Sequence, residues 1–362
     1  MGGAYNGPDR YPRGYDLRVW CRMANQPRAW GIEFIMDELE GHGFRGSFFT
    51  EAFCAQYFGL EGLGRVCDAI RSRGHDIQLH LHPGMLNLIP GADRQVNRQP
   101  DSFHAYDLDH QIGLLQRGLA VLADCGIDSV TAFRAGSFAV DHNTWTAMRR
   151  VGLRMGSNYN LAYLAEPDGQ PAQRSRLGEY LSPWTALGTC RLPADPVRND
   201  LFAAPGTGRG DLDRSPLHEL PITNIRAMGG DGRVAYRHLA IPALSAAEMI
   251  RALVAARRGG LRHVTLLMHS FDFVRLDSAR DRAGRPIQTH VRRLRRVCDW
   301  LSDHADAFEV TTVTEVAKAP AANHRQDRTD SARAVCDAVP RGSLILGGLR
   351  QAEQLCTRLR YR

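Results

Sequence analysis

The feature that most restricts the fold of this 362-residue chain is a repeated pattern in which a helical apolar period is followed by a short apolar run. In WGIEFIMDELEGHGFRGSFF, Ile32, Ile35, Met36 and Leu39 have helical spacing, Gly43 stands where a helix stops, and GSFF opens a strand. Leu60, Leu63, Val66 and Ile70 repeat the helix before Gly74 and the strand DIQLHLH. A helix through Ile112, Leu115, Leu119 and Leu122 precedes the strand SVTAFRAGS, and one through Trp145 and Met148 precedes a short segment at Arg154 to Asn158. SAAEMIRALVAARR opens with a capping box at Ser245 and Glu248 and leads to HVTLLMHSF, and a last helix around Leu294 to Leu301 feeds FEVTTVTEV as a strand. Such alternation over about 290 residues requires parallel βαβ units, as a closed barrel or an open doubly wound sheet. Periodicity does not choose between the two.

Two regions leave the pattern. Residues 160–215 are rich in Pro, Gly and Arg and read as a loop excursion on one rim. Residues 319–362 read as a polar linker and a basic amphipathic ending, an appendage to a domain spanning 17–318, with an irregular segment at 1–16. Hydrophobic residues make up 43% and charged residues 23%, enough apolar side chain for a core and against global disorder. The net charge of +7 is Arg-rich and scattered, so it reads as solvated surface. Basic and aromatic residues do not interleave as in a nucleic-acid binder, and MGGDGR at Met228 to Arg233 is no phosphate loop. No leader-like start and no run of eighteen apolar residues occur, and eight scattered cysteines without a CxxC pair suit reduced thiols, so the expected compartment is the cytoplasm.

Chemistry concentrates where strands end. Side chains alternate along a strand, so Gln78, His80 and His82 share one face and Ile77, Leu79 and Leu81 the other. Two imidazoles roughly 7 Å apart at the carboxyl end of a parallel strand are placed to converge on one metal ion. Arg134 emerges at the end of SVTAFRAGS, beside Ala135-Gly136, and His269 at the end of HVTLLMHSF. HELPIT, His218 to Thr223, reads as a further strand on which Glu219 is either a rim residue or outward decoration; Asp141-His142 reads as a helix N-cap.

The order GHDIQLHLHP, FRAGS, LLMHSF and a closing helix and strand resembles the polysaccharide deacetylases of the NodB-homology type, in their HLHP-containing branch, over roughly residues 17–318. The resemblance implies a distorted (β/α)7 barrel, TIM-like, holding a divalent metal, usually zinc, and removing N-acetyl groups from amino sugars. It makes His80 the first metal histidine and His82 or His104 the second, Arg134 the arginine that orients a catalytic carboxylate, and His269 the acid toward the departing amine. The family also begins with an apolar strand ending in an Asp-rich motif that supplies the base and a carboxylate ligand. MGGAYNGPDRYPRG has no strand-like run. Three alternatives follow: the motif lies upstream of Met1, which is the favoured expectation; Asp9 or Asp16 replaces it; or the site is not hydrolytic. The functional expectation is a metal-dependent N-deacetylase acting on an N-acetylated sugar or glycan precursor. The alternatives are a catalytically silent barrel that binds a glycan, and hydrolysis of another amide or ureide.

Overall fold

A computed structural model describes residues 15–22, 28–88, 100–160, 162, 202–203, 217–228, 234–258, 261–277, 282–318 and 344–360. Six strands form the main sheet: β1 (Ser47–Glu51), β2 (Asp76–Leu81), β3 (Ala132–Ala135), β4 (Met155–Gly156), β5 (Phe202–Ala203) and β6 (His218–Glu219). Their order is β1-β2-β3-β4-β6-β5; all pair in parallel except β5, which runs antiparallel to β6. The fold is therefore mixed α/β on a five-stranded parallel sheet. Among the described residues the ladders leave β1 as an edge, and closure into the expected seven-stranded barrel is not among them.

The helices are α1 (Ile32–Glu40), α2 (Leu60–Ser72), α3 (Leu108–Asp124), α4 (His142–Arg150), α5 (Ala246–Arg258), α6 (Gln288–Asp303), α7 (Val313–Lys318) and α8 (Leu344–Arg360). One core packs Ile77, Leu79 and Leu81 of β2 against Leu63, Val66 and Ile70 of α2 and Leu115 and Leu122 of α3. A second joins Phe34 and Ile35 of α1 to Met249 and Leu253 of α5 and Val291 and Leu294 of α6. Each fully buried aliphatic side chain contributes about 1.5–3 kcal/mol, so these two cores, which use the helical faces legible in the sequence, hold the elements in place. The opposite face of β2 is left free for polar residues. Gln78 is fully buried there, and its Oε1 accepts from the backbone N–H groups of Thr131 and Ala132 at 3.0 and 2.7 Å.

Several local expectations are corrected. HVTLLMHSF is extended without a ladder: Leu267 alone bridges to Ala240, and the Thr265 N–H donates to Thr223 Oγ1 at 2.9 Å instead of to a neighbouring strand. FEVTTVTEV ends as helix α7, because Thr312 and Glu315 form a capping box: Glu315 Oε2 accepts from the Thr312 N–H at 2.8 Å, and Thr312 Oγ1 from the Glu315 N–H at 3.3 Å. Val313 and Val316, three apart, then bury one helical stripe beside Ala132, Met155 and Leu220. Only His218–Glu219 of HELPIT pairs as strand.

The Ser245–Glu248 and Asp141–Thr144 capping boxes form. Met228 to Arg233 begins at the end of β7 (Asn224–Met228), which pairs antiparallel with β8 (Val234–His238); 229–233 lie outside the described residues, as do most of 160–215 and 1–14. The basic ending docks as α8: Glu353 pairs with Arg293 at 2.6 Å, and Arg350 with Glu248 at 3.2 Å in a nearly fully buried pair. Cys21, Cys54, Cys67, Cys125 and Cys298 are buried and unbridged. Among the described residues no helix is long and apolar enough to cross a membrane.

Candidate metal centre

Register builds the site. Glu51 of β1 is the partner of His80 of β2, and His80 the partner of Arg134 of β3, so the three lie in one row across the carboxyl ends of neighbouring parallel strands. Row partners project to the same face of a sheet, about 4.8 Å apart. His82, just past the end of β2, brings its ring to 4.9 Å from that of His80, nearly perpendicular to it. Glu51, His80 and His82 each offer a ligand atom within 4.8 Å of the others.

Each member is held by something else. His80 Nδ1 lies 2.7 Å from the Arg134 carbonyl oxygen, and His82 Nδ1 2.8 Å from Asp101 Oδ2. A carbonyl accepts only, so His80 Nδ1 carries its proton there and Nε2 is the ligand atom that ring offers. Asp101 is fixed in turn by the Gly84 N–H, which donates to Oδ1 at 3.0 Å. Glu51 Oε1 accepts from the Phe53 N–H at 3.0 Å, whereas Oε2 is buried without a hydrogen-bond partner. An unmade hydrogen bond on a buried carboxylate costs about 1–3 kcal/mol or more. Two neutral imidazole nitrogens and one unsatisfied carboxylate oxygen are a donor set that fits a divalent ion of the zinc kind.

The electrostatics agree with that fit. Burial pushes the Glu51 carboxyl up to about 8. Burial, then the neighbouring His82, hold His80 well below its ordinary value; burial lowers His82 too, against the opposing pull of Asp101. At neutral pH both rings are therefore uncharged and able to ligate, while Glu51 keeps a proton until a cation displaces it.

The backbone next to the site is strained. Gly136 has no room for a side chain, since a Cβ would lie 2.3 Å from His82 Nδ1. Immediately after it, Ser137 and Phe138 adopt left-handed φ of 53° and 56°. Such conformations cost non-glycine residues on the order of 1–3 kcal/mol each and collect where the chain is shaped for a site.

Of the residues read from the sequence, His80 and His82 come together, and Arg134 stands in their row. His269 lines the same cavity, of about 900 Å³, as Glu51, His80, His82 and Arg134. It is 44% exposed, stacks on Phe271, and has Nδ1 3.4 Å from Asp272 Oδ2. His104 is buried on a different turn and is not in the ligand group. Asp16 is exposed and paired with Arg22 at 3.0 Å, away from the group, and Asp9 lies outside the described residues.

Sequence reading missed Glu51, although SFFTE ends an apolar strand on a polar residue just as DIQLHLH does. It also missed Asp101, for which no local signal exists. Glu219, read as rim or decoration, is fully buried: its oxygens accept from the N–H groups of Asn158, Tyr159 and Trp145 Nε1.

No family model matches this sequence, and no curated protein matches it. Among solved structures, the chain is similar to the crystal structure of a "putative polysaccharide deacetylase from Mycobacterium smegmatis", with a TM-score of 0.46 and 17% identity over 83% of this chain and 80% of that one.

Proposed function

We propose that this protein is a metal-dependent hydrolase that removes the N-acetyl group from an amino sugar in a polysaccharide or glycan precursor, with Glu51, His80 and His82 holding a divalent ion, zinc by its donor set. The observation that carries the reading is the convergence of the group: Glu51, His80 and His82 each bring one ligand atom within 4.8 Å of the others, while the Arg134 carbonyl and Asp101 engage the Nδ1 atoms of the two rings. A divalent ion held there supplies Lewis acidity toward an amide carbonyl and toward water. The remaining work falls to the chain's own groups. His269, at the cavity rim with Asp272 beside its Nδ1, is placed to deliver a proton to a departing amine nitrogen. The sugar and the N-acetyl amide both come from the sequence resemblance, and the donor set supports the metal-assisted character of the reaction.

The test is metal content by elemental analysis of purified protein beside His80→Ala and His82→Ala, followed by acetate release from N-acetylated sugars. One ion per chain, lost in both variants together with acetate release, is the expected outcome. Wild-type protein that takes up no ion when soaked in zinc would defeat the proposal.

One observation favours a second reading, a catalytically silent glycan-binding subunit. Among the described residues the ligand group holds a single carboxylate, Glu51, and Asp101 beside it is committed to His82 and the Gly84 N–H, so no second carboxylate of the group stands ready as a base. Full metal loading with no acetate release from any N-acetyl sugar would select that reading.

A further inference from the structure

Arg134 is the unusual member of the row. Its Nε donates to the Ser157 carbonyl at 3.1 Å, its Nη2 to Ser157 Oγ at 2.8 Å, and its guanidinium lies 3.9 Å above the Phe49 ring. These contacts fix one edge and one face. Its Nη1 donates to no described residue, and no described carboxylate comes within ion-pair distance. Glu219 is the counter-charge it feels, but that carboxylate spends its oxygens on Asn158, Tyr159 and Trp145. The side chain lines the cavity that also holds Glu51, His80 and His82.

Arg134 is half-buried on the cavity wall with no carboxylate paired to it among the described residues, and fork geometry gives a guanidinium a strong preference for planar oxyanions. The anchoring on Ser157 and Phe49 removes the side-chain freedom that binding an anion would otherwise have to freeze, so the residue is pre-organised. A purely structural strut to Ser157 would need neither the charge nor a cavity-facing edge. Register places the Cα atoms of Arg134 and His80 about one interstrand step, roughly 5 Å, apart, and both side chains line the one cavity.

We propose that Arg134 is an oxyanion-binding residue, and that the ligand taken into this cavity carries a carboxylate or phosphate one short bond-chain away from its amide. The word substrate here rests on the hydrolase reading; the binding does not. The substrate class is thereby narrowed to acidic N-acyl compounds, with neutral amides excluded from tight binding.

The test uses the full chain freed of metal by a chelator, so that no ion can capture the probe. N-acetylglycine and its uncharged twin N-acetylglycinamide are titrated calorimetrically into wild type, Arg134→Gln and Arg134→Lys, with thermal melting as the check on folding. The expected result is at least tenfold tighter binding of the acid by wild type, a preference abolished by Gln and weakened severalfold by Lys, which keeps the charge but loses the fork. Equal binding of the two probes by wild type, or binding of neither, overturns the proposal, as does a preference that survives in a folded Gln variant. If the Gln variant does not fold, the Lys variant decides: unchanged acid binding overturns the proposal. Because no ion takes part, failure here leaves the hydrolase reading standing, and failure of metal uptake leaves this one standing.

Discussion

The two walls of the cavity are built differently. On the β1–β3 wall every functional side chain is fixed by a second contact: His80 by a carbonyl, His82 by Asp101, Glu51 by the Phe53 amide, Arg134 by Ser157. On the opposite wall His269 follows a segment joined to its neighbour by one bridge, and its ring is nearly half exposed, with Phe271 and Asp272 for company. Ligands of an ion must be held to fractions of an ångström, so they sit on paired strands with backing. A group that passes a proton needs access to the leaving group more than rigidity, and a rim supplies it.

If that division of labour is right, His269→Gln lowers kcat by about 10²–10⁴ while the metal content of the purified protein stays at the wild-type level. Loss of metal in that variant would erase the contrast.

A smaller effect is expected from Glu51→Gln in metal-free protein. The folded carboxyl holds its proton to about 8, against an ordinary 4.5 when unfolded. Raising the pH from 5 to 8 therefore deprotonates the unfolded chain first and drains stability from the folded state. The Gln variant lacks that slope and gains on wild type by on the order of 3 kcal/mol over the interval. Chemical denaturation at the two pH values measures it, and parallel pH curves for the two proteins would refute the buried-acid assignment.

Asp101→Asn tests the backing alone: it leaves three ligands but removes the carboxylate charge beside His82, and zinc affinity measured by chelator competition falls about 10–100-fold. An unchanged affinity would mean that Asp101 is a neighbour of the centre and no part of it.

The smallest effect lies far from the chemistry. Glu315→Ala opens the capping box of α7 and costs about 1 kcal/mol in denaturant unfolding, with metal binding untouched.

Much of the frame was legible because it is local. The apolar stripes of α1, α2, α3, α5 and α6 and the capping residues Ser245 and Asp141 act within a few residues of themselves, and the elements formed where the periods placed them. The exceptions had local causes as well. In TTVTEV the β-branched run suggested a strand, but the Thr312–Glu315 box outweighed that propensity, and the box was there to be read. HVTLLMHSF reads as a strand on its own terms; a ladder needs a partner, and among the described residues it has one bridge, from Leu267 to Ala240.

By itself the sequence determined that His80 and His82 share a face at the end of an apolar strand, because alternation is a property of any extended chain. Which carboxylate joins them was decided only in three dimensions. The expected donors were an upstream motif, Asp9 or Asp16, whereas the register of β1 on β2 brings Glu51 to His80, 29 positions along the chain. Asp101 reaches His82 through a loop, and Glu219 reaches Trp145 across the sheet. Register and loop closure depend on how the helices between the strands pack, a sum of many weak non-local contacts, and no short stretch of residues encodes that sum.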